Sequence, residues 1–155
     1  MRIASLQPSI TLTLAALDRL DHLCAITKYC LEALPALAPR SLPILQDSWS
    51  FDRASDPDKL GNLEILLAAK PDLVLASVPY RLESLAAILK SGVPVLTLAP
   101  HILADIFTDI RLIASLTHAV PAAESLIAHM QSTLDSARAR TAHLNPSDRP
   151  LIYCE

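Results

Sequence analysis

Short apolar runs alternate with segments of helical periodicity along the chain. Residues 73–76 are apolar on both faces, as in a buried parallel strand, whereas Ile10, Leu14 and Leu17 recur at the spacing of one helix face. The predicted strands lie at residues 2–6, 22–27, 43–45, 73–76, 93–98 and 151–154. The predicted helices lie at residues 10–17, 62–69, 81–90, 102–117 and 121–143. This alternation predicts an α/β fold with a Rossmann-like parallel sheet and helices on both of its faces.

Residues with known capping preferences mark where these helices begin and end. Ser9 and Asn62 are predicted N-caps, and Ser91-Gly92 is a predicted C-terminal stop. Residues 31–43 contain three prolines and are predicted to be mostly irregular. The polar residues 46–61 are predicted to form a loop.

The last predicted helix is long and sets the predicted domain organisation. Pro121 suits the first turn of a helix, where its missing N–H costs nothing. The pattern therefore predicts an α/β unit at 1–119, a long helix at 120–145, and a linker with one further strand at 146–155.

Composition narrows the function classes. The chain has 155 residues and a net charge of −3, which fits one domain and argues against a nucleic-acid binder with a basic face. No apolar run approaches the roughly 20 residues of a membrane span. With only two glycines, Gly61 and Gly92, the chain has no glycine-rich phosphate loop. Its three cysteines form no C-x-x-C pair, which argues against a disulfide scaffold or a cysteine zinc site.

The first residues give an expectation about location. The apolar stretch that follows Arg2 ends at Leu6, which is short for a secretory signal and fits a strand. As written, the chain is therefore expected in the cytoplasm, and in the periplasm if the true start lies upstream.

Ligands of open parallel sheets bind beyond the carboxyl ends of the strands, and this chain places most of its aromatic residues there. It has one tryptophan, three tyrosines and two phenylalanines, yet Tyr29, Trp49, Phe51 and Tyr80 all fall in the predicted strand-end loops. Aromatic rings supply large, stiff contact areas, so the pattern favours a flat ligand held by stacking. The candidate ligand-binding residues are Tyr29, Trp49, Tyr80, Pro8, Ser9, Ser77 and His101.

Catalytic and metal-binding patterns are sparse, so we assign no catalytic residue, no metal site and no cofactor. His101 follows a predicted strand and is a candidate metal ligand or base, with Cys30 near the same edge. One alternative is therefore a metal-binding or enzymatic module on a flavodoxin-like scaffold. A second alternative is a truncated or split remnant that needs a partner chain.

Glu64 lies in the first turn of the helix predicted after Asn62. A carboxylate in that turn is favoured by the helix dipole, which would make it a stabilising residue. It is also a candidate docking charge for an arginine on a partner protein.

Several stretches resemble one family. Residues 2–11, RIASLQPSIT, are similar to the opening strand and turn of the iron-siderophore/cobalamin class of periplasmic binding proteins. Asn62-Leu63-Glu64 followed by residues 69–76, AKPDLVLA, resembles the most recognisable segment of that class, and residues 92–95 and 109–111 continue the similarity. The stretch 27–30 and Trp49 fall where the cobalamin-binding branch places ring-stacking aromatics, so the resemblance is closest to that branch.

The resemblance implies a non-catalytic protein of two α/β lobes joined by a long rigid helix, with the ligand between the lobes. It implies a corrinoid such as cobalamin, or a similar metal chelate, as ligand and an ABC transporter permease as partner. Glu64 matches the acidic residue with which the first lobe docks on permease arginines. The chain departs from the family at Leu12, which replaces an acidic residue, and at Ser77, since the usual aromatic is displaced to Tyr80. The resemblance implies that residues 1–119 are the first lobe, 120–145 the connecting helix, and 146–155 a linker with the first strand of an absent second lobe. A second-lobe chain or a homodimer is therefore a further expected partner.

Overall fold

The computed structural model describes residues 1–46, 61–77 and 82–145. The predictions for Trp49, Phe51, Tyr80 and residues 146–155 lie outside the described residues. The strands are β1 Ile3–Ser5, β2 Leu23–Thr27, β3 Ile44–Leu45, β4 Leu73–Ser77 and β5 Val95–Leu98. The helices are α1 Pro8–Ala16, α2 Lys28–Ala33, α3 Asn62–Ala68, α4 Leu82–Lys90, α5 Leu103–Leu116 and α6 Val120–Thr141, with short 3₁₀ helices at Leu20–His22 and Pro35–Arg40.

The described strands form one parallel sheet in the order β3-β2-β1-β4-β5. β1 lies at the centre and pairs with β2 on one side and β4 on the other. The chain therefore runs outward from β1 to β3, crosses back past β1, and continues outward through β4 to β5. The predicted parallel α/β sheet is confirmed.

Helices cover both faces of this sheet, because its strands are largely apolar on both faces. On one face, Ile3, Ile26 and Leu75 pack with residues of α1, α5 and α6. On the other face, Ala4 and Val74 pack with residues of α3 and α4. Neighbouring residues of one strand thus enter opposite cores, because successive side chains of a strand point to opposite faces.

Two predicted N-caps are wrong by one or two residues. α1 begins at Pro8 with Gln7 as its N-cap, so Ser9 lies inside the first turn. α3 begins at Asn62 with Gly61 as its N-cap. The Asn62 side chain is used elsewhere, because its Oδ1 accepts a hydrogen bond from the backbone N–H of Gln46 at 2.9 Å. That contact fastens α3 to the end of β3.

Residues 31–43, predicted to be mostly irregular, contain the end of α2 and the 3₁₀ helix Pro35–Arg40, so that prediction is wrong. The Thr27 side chain caps α2 by accepting from the backbone N–H of Cys30 at 3.3 Å. Cys30 itself is fully buried and anchors the helix in the core.

The long helix α6 packs against α5 through its first half, where Ala123 and Ile127 are buried. Most of its residues beyond Met130 are exposed. The predicted helix is confirmed, while the division into 1–119, 120–145 and 146–155 stays a prediction. In the part of the chain that is described, no helix combines the length and hydropathy needed to cross a membrane.

Candidate functional site

The carboxyl ends of the five described strands lie at the same side of the sheet, which we call the carboxyl edge. Tyr29 follows β2, Pro8 and Ser9 follow β1, Ser77 ends β4, and His101 follows β5. Because the strand order is β2-β1-β4-β5 in this part of the sheet, the positions follow one another along the edge in the order just given. Neighbouring strands are about 5 Å apart. The structure thus brings all five to one edge, and their role in ligand binding stays a prediction.

The centre of the carboxyl edge lies between β1 and β4, where the strand order reverses and a crevice is expected. The turn after β1 is fixed by the Ser5 and Thr11 hydroxyls, which are fully buried and 2.8 Å apart. Gln7 then reaches across to β4, and its Nε2 donates to the backbone carbonyl of Ser77 at 3.3 Å. These bonds hold the start of α1 at a fixed position over the sheet, with Pro8 as its first residue.

A pocket of about 150 Å³, which we call the α1–α5 pocket, opens beside this crevice between those two helices. Ile10, Ile110 and Ile113 are buried and contribute apolar lining. Ser9, Thr13, Ser77 and Asp109 contribute the polar lining. Two of the predicted binding residues, Ser9 and Ser77, therefore share one pocket. The pocket combines apolar walls with a few polar groups, which is the usual character of a small-molecule site.

Asp109 is the one charged residue in the lining of this pocket among the residues that are described. Burial raises the pKa of its carboxyl above the ordinary value, and the charge of Asp105 one turn earlier adds to the increase. Asp109 is not among the ligand-binding residues that the sequence predicts. The available signal was its place beside the apolar stripe of Ile106, Ile110 and Ile113 on the same helix.

Tyr29 is the second residue of α2 and is partly exposed. The Lys28 Nζ lies 5.0 Å from the centre of its ring, within the range of a cation–π contact. Tyr29 was expected in a strand-end loop, and the helix instead fixes the direction of its side chain. One face of the ring is therefore partly occupied by the neighbouring ammonium group.

The residues of the metal-binding alternative do not form a metal centre. Within residues 1–46, 61–77 and 82–145, no group of three or more His, Cys, Asp or Glu side chains could hold an ion. His101 is exposed, and its backbone N–H donates to Asp105 Oδ2 at 2.9 Å. Cys30 is fully buried, with its Sγ 3.2 Å from Thr27 Oγ1, and so has a packing role.

Glu64 is exposed at the third position of α3. Its Oε2 accepts a hydrogen bond from the backbone N–H of Gly61 at 2.6 Å, which satisfies one of the free donors at the helix start. The capping role of this carboxylate is therefore present. Its Oε1 has no hydrogen bond to another described residue, so a second interaction is open to it.

Comparisons with known proteins give a consistent result. A family model described as "Periplasmic binding protein" matches residues 3–155. The periplasmic heme-binding protein RhuT from Roseiflexus sp. RS-1, in apo form, is 26% identical with a TM-score of 0.70, and the match covers 94% of this chain and 52% of RhuT. A search of curated protein sequences gives no match.

Two further solved structures share the fold. The vitamin B12 binding protein BtuF of Vibrio cholerae is 21% identical with a TM-score of 0.69, covering 94% of this chain and 52% of BtuF. The molybdate periplasmic binding protein MolA of Haemophilus influenzae is 18% identical with a TM-score of 0.78, covering 96% of this chain and 50% of MolA. The chain spans about half the length of the solved structures it matches.

Proposed function

Because the chain belongs to the periplasmic binding protein family, we propose that it forms the first lobe of a non-catalytic substrate-binding protein that serves ABC-type uptake. The observation that carries the proposal is the carboxyl edge, where the structure places an open pocket beside the reversal of strand order. In this proposal the edge is one wall of the ligand cleft. The opposite wall comes from a second-lobe chain, from a second copy, or from a further segment of the same polypeptide.

The ligand we propose is a corrinoid such as cobalamin, or a similar metal chelate. The similar structures include proteins named for heme, vitamin B12 and molybdate, so the choice depends on this chain's own residues. A flat macrocycle needs stacking partners, and Tyr29 at the carboxyl edge is one. In the proposal Trp49 and Tyr80 supply further rings, and Pro8, Ser9, Ser77 and His101 contribute to the same wall of the cleft.

The same proposal assigns a docking role to Glu64. Its carboxylate is exposed and is fixed in direction by the hydrogen bond to Gly61, so an arginine of an ABC permease has a preorganised partner. We propose that the protein works in the periplasm. The expectation of a cytoplasmic location is not supported by membership of a family of periplasmic proteins.

The test uses the single tryptophan of the chain, Trp49. Cyanocobalamin added to the protein is expected to quench the Trp49 fluorescence with a saturable curve. N-acetyltryptophanamide at matched absorbance corrects for the light that the corrinoid itself absorbs. Equilibrium dialysis of Trp49→Ala then measures affinity without fluorescence, and we expect about fivefold weaker binding, since an aromatic contact contributes on the order of 1 kcal/mol.

The control variant is Phe51→Leu, which changes the other aromatic residue of the same predicted loop. It is expected to change affinity less than Trp49→Ala does. If the corrected fluorescence stays constant up to high micromolar cyanocobalamin and dialysis shows no binding, the corrinoid proposal is wrong.

A further inference from the structure

Three polar side chains that share the α1–α5 pocket have no hydrogen-bonding partner among the described residues. They are the hydroxyl groups of Ser9 and Ser77 and the carboxylate of Asp109. Thr13, which also lines the pocket, is different, because its hydroxyl donates to the backbone carbonyl of Ser9 at 2.9 Å. The pocket thus presents two groups that both donate and accept and one that, when ionised, only accepts.

The charge of the pocket selects against anions. Asp109 lies beside the charge of Asp105, and no Lys, Arg or His is among the described residues that line the pocket. A carboxylate or oxyanion entering it would meet a like charge with no cation to compensate, and like charges at short range repel strongly where water is scarce. Asp109 is itself partly buried, so a second negative charge beside it would be less well solvated than in open water.

The pocket is large enough for one substituent of a ligand, which we call an arm, but not for a whole ligand. Pockets that enclose a whole drug-sized ligand have volumes of about 300–1,000 Å³, and the α1–α5 pocket has about 150 Å³. Its walls are largely aliphatic, from Ile10, Ile110 and Ile113. A short aliphatic chain that ends in a polar group fits these walls, while a ring system remains outside over the carboxyl edge.

A primary carboxamide is the group that complements these partners. Its NH₂ donates to Asp109, and its carbonyl accepts from Ser9 or Ser77. A protonated amine only donates and would leave the hydroxyl donors of Ser9 and Ser77 without an acceptor, whereas a carboxylate only accepts and could not take a proton from an ionised Asp109. We propose that the α1–α5 pocket binds a carboxamide arm of the ligand, with Asp109 as the specificity-determining residue that excludes carboxylate arms.

This inference rests on the proposed function for the identity of the ligand, because amide arms surround a cobalamin ring whereas carboxylate arms extend from a heme. Its test uses smaller probes, so that the pocket is examined independently of the ring. Propionamide and propionate are titrated separately into isotopically labelled protein at pH 7.5, and the backbone amide signals of Ser77, Asp109 and Ile110 are followed by NMR. Propionamide is expected to shift these signals with a saturable curve, and propionate at the same concentration is expected to leave them unchanged.

Asp109→Asn removes the charge and keeps the size of the side chain. Propionamide binding is expected to weaken about fivefold, as for loss of a charge-assisted hydrogen bond, and propionate is expected to begin to bind. The matched control is Asp135→Asn, the same chemical change on the exposed surface of α6, which should leave both titrations as in the wild type. Circular dichroism confirms that both variants are folded.

The outcomes separate the two proposals. Propionate shifts equal to those of propionamide, or no shift with either probe, would overturn the inference about the pocket. An unchanged propionamide affinity in Asp109→Asn would overturn it as well. Saturable propionamide shifts at the pocket without any binding of cyanocobalamin would support the pocket and contradict the corrinoid proposal.

Discussion

The side chain of Gln7 connects the two central strands of the sheet by donating from Nε2 to the backbone carbonyl of Ser77 at 3.3 Å. Gln7 is the N-cap of α1, and Ser77 is the last residue of β4. The bond therefore spans the point where the strand order reverses and fixes one wall of the α1–α5 pocket relative to the other. A side-chain amide suits this position because it reaches from one strand end to the next and can donate to a backbone carbonyl there.

We predict that Gln7→Ala lowers the free energy of unfolding by about 1 kcal/mol, the usual net contribution of one hydrogen bond. For a chain of this size that corresponds to a decrease of roughly 2–4 °C in the melting temperature. Gln7→Glu should cost more at pH 7.5, since the introduced carboxylate faces a carbonyl oxygen, and should recover at low pH as it becomes protonated and can donate. Thermal unfolding of both variants at pH 7.5 and pH 4 checks this. Equal stability of Gln7→Glu and the wild type at pH 7.5 would show that the bond does not contribute.

Two variants of Glu64 separate its capping role from its proposed docking role. Glu64→Ala removes both the acceptor for the Gly61 N–H and the charge, and should destabilise the protein by about 1 kcal/mol. Glu64→Gln keeps an acceptor oxygen and loses only the charge, so its stability should stay close to that of the wild type. If Glu64 docks on a permease arginine, both variants weaken ABC-dependent uptake. The docking role is wrong if Glu64→Gln transports at the wild-type rate.

Asp105 and Asp109, one turn apart on α5, should give opposite dependences of stability on pH. The backbone N–H groups of His101 and Ile102 lower the pKa of Asp105, whereas burial raises that of Asp109. The stabilisation from Asp105 is therefore complete above the ordinary aspartate pKa of about 3.9 and is lost as the pH falls below it. Ionising the partly buried Asp109 costs folding free energy. This cost is absent below the ordinary aspartate pKa and grows as the pH rises through the higher pKa that Asp109 has in the folded protein.

Urea denaturation between pH 3 and pH 7 measures both effects. The stability of the wild type relative to Asp105→Asn should increase as the pH rises. Its stability relative to Asp109→Asn should decrease over the same interval. Parallel changes in the two comparisons would contradict the assigned environments.

The apolar pattern predicted the fold and most element bounds to within a few residues. β2 and β4 were expected at 22–27 and 73–76 and lie at Leu23–Thr27 and Leu73–Ser77. Ser91-Gly92 ends α4 as predicted, and Gly92 has φ +86°, a conformation that glycine adopts without steric cost. The family resemblance drawn from residues 2–11 and 62–76 is also confirmed by the match over residues 3–155.

Local signals failed where a side chain had a tertiary partner. Asn62 has the residue type of an N-cap, yet its oxygen is taken by the backbone of Gln46 sixteen positions away in the chain. The sequence pattern did not predict α2, because a helix of six residues is too short to show a helical period. α2 is stabilised by the Thr27 cap and by burial of Cys30. Both depend on the position of the helix against the sheet and the core, which a short stretch of sequence does not reveal.

The sequence by itself determined the class of fold, the family and which residues follow the strands, because burial on both faces of a strand leaves a pattern in the residues. Only the tertiary structure decided which strand ends are neighbours. The order β3-β2-β1-β4-β5 brings Ser9 and Ser77 together across 68 positions of chain, and α5 adds Asp109 from further along. Such a pocket is a property of how strands and helices pack across long sequence separations, and no local periodicity encodes it.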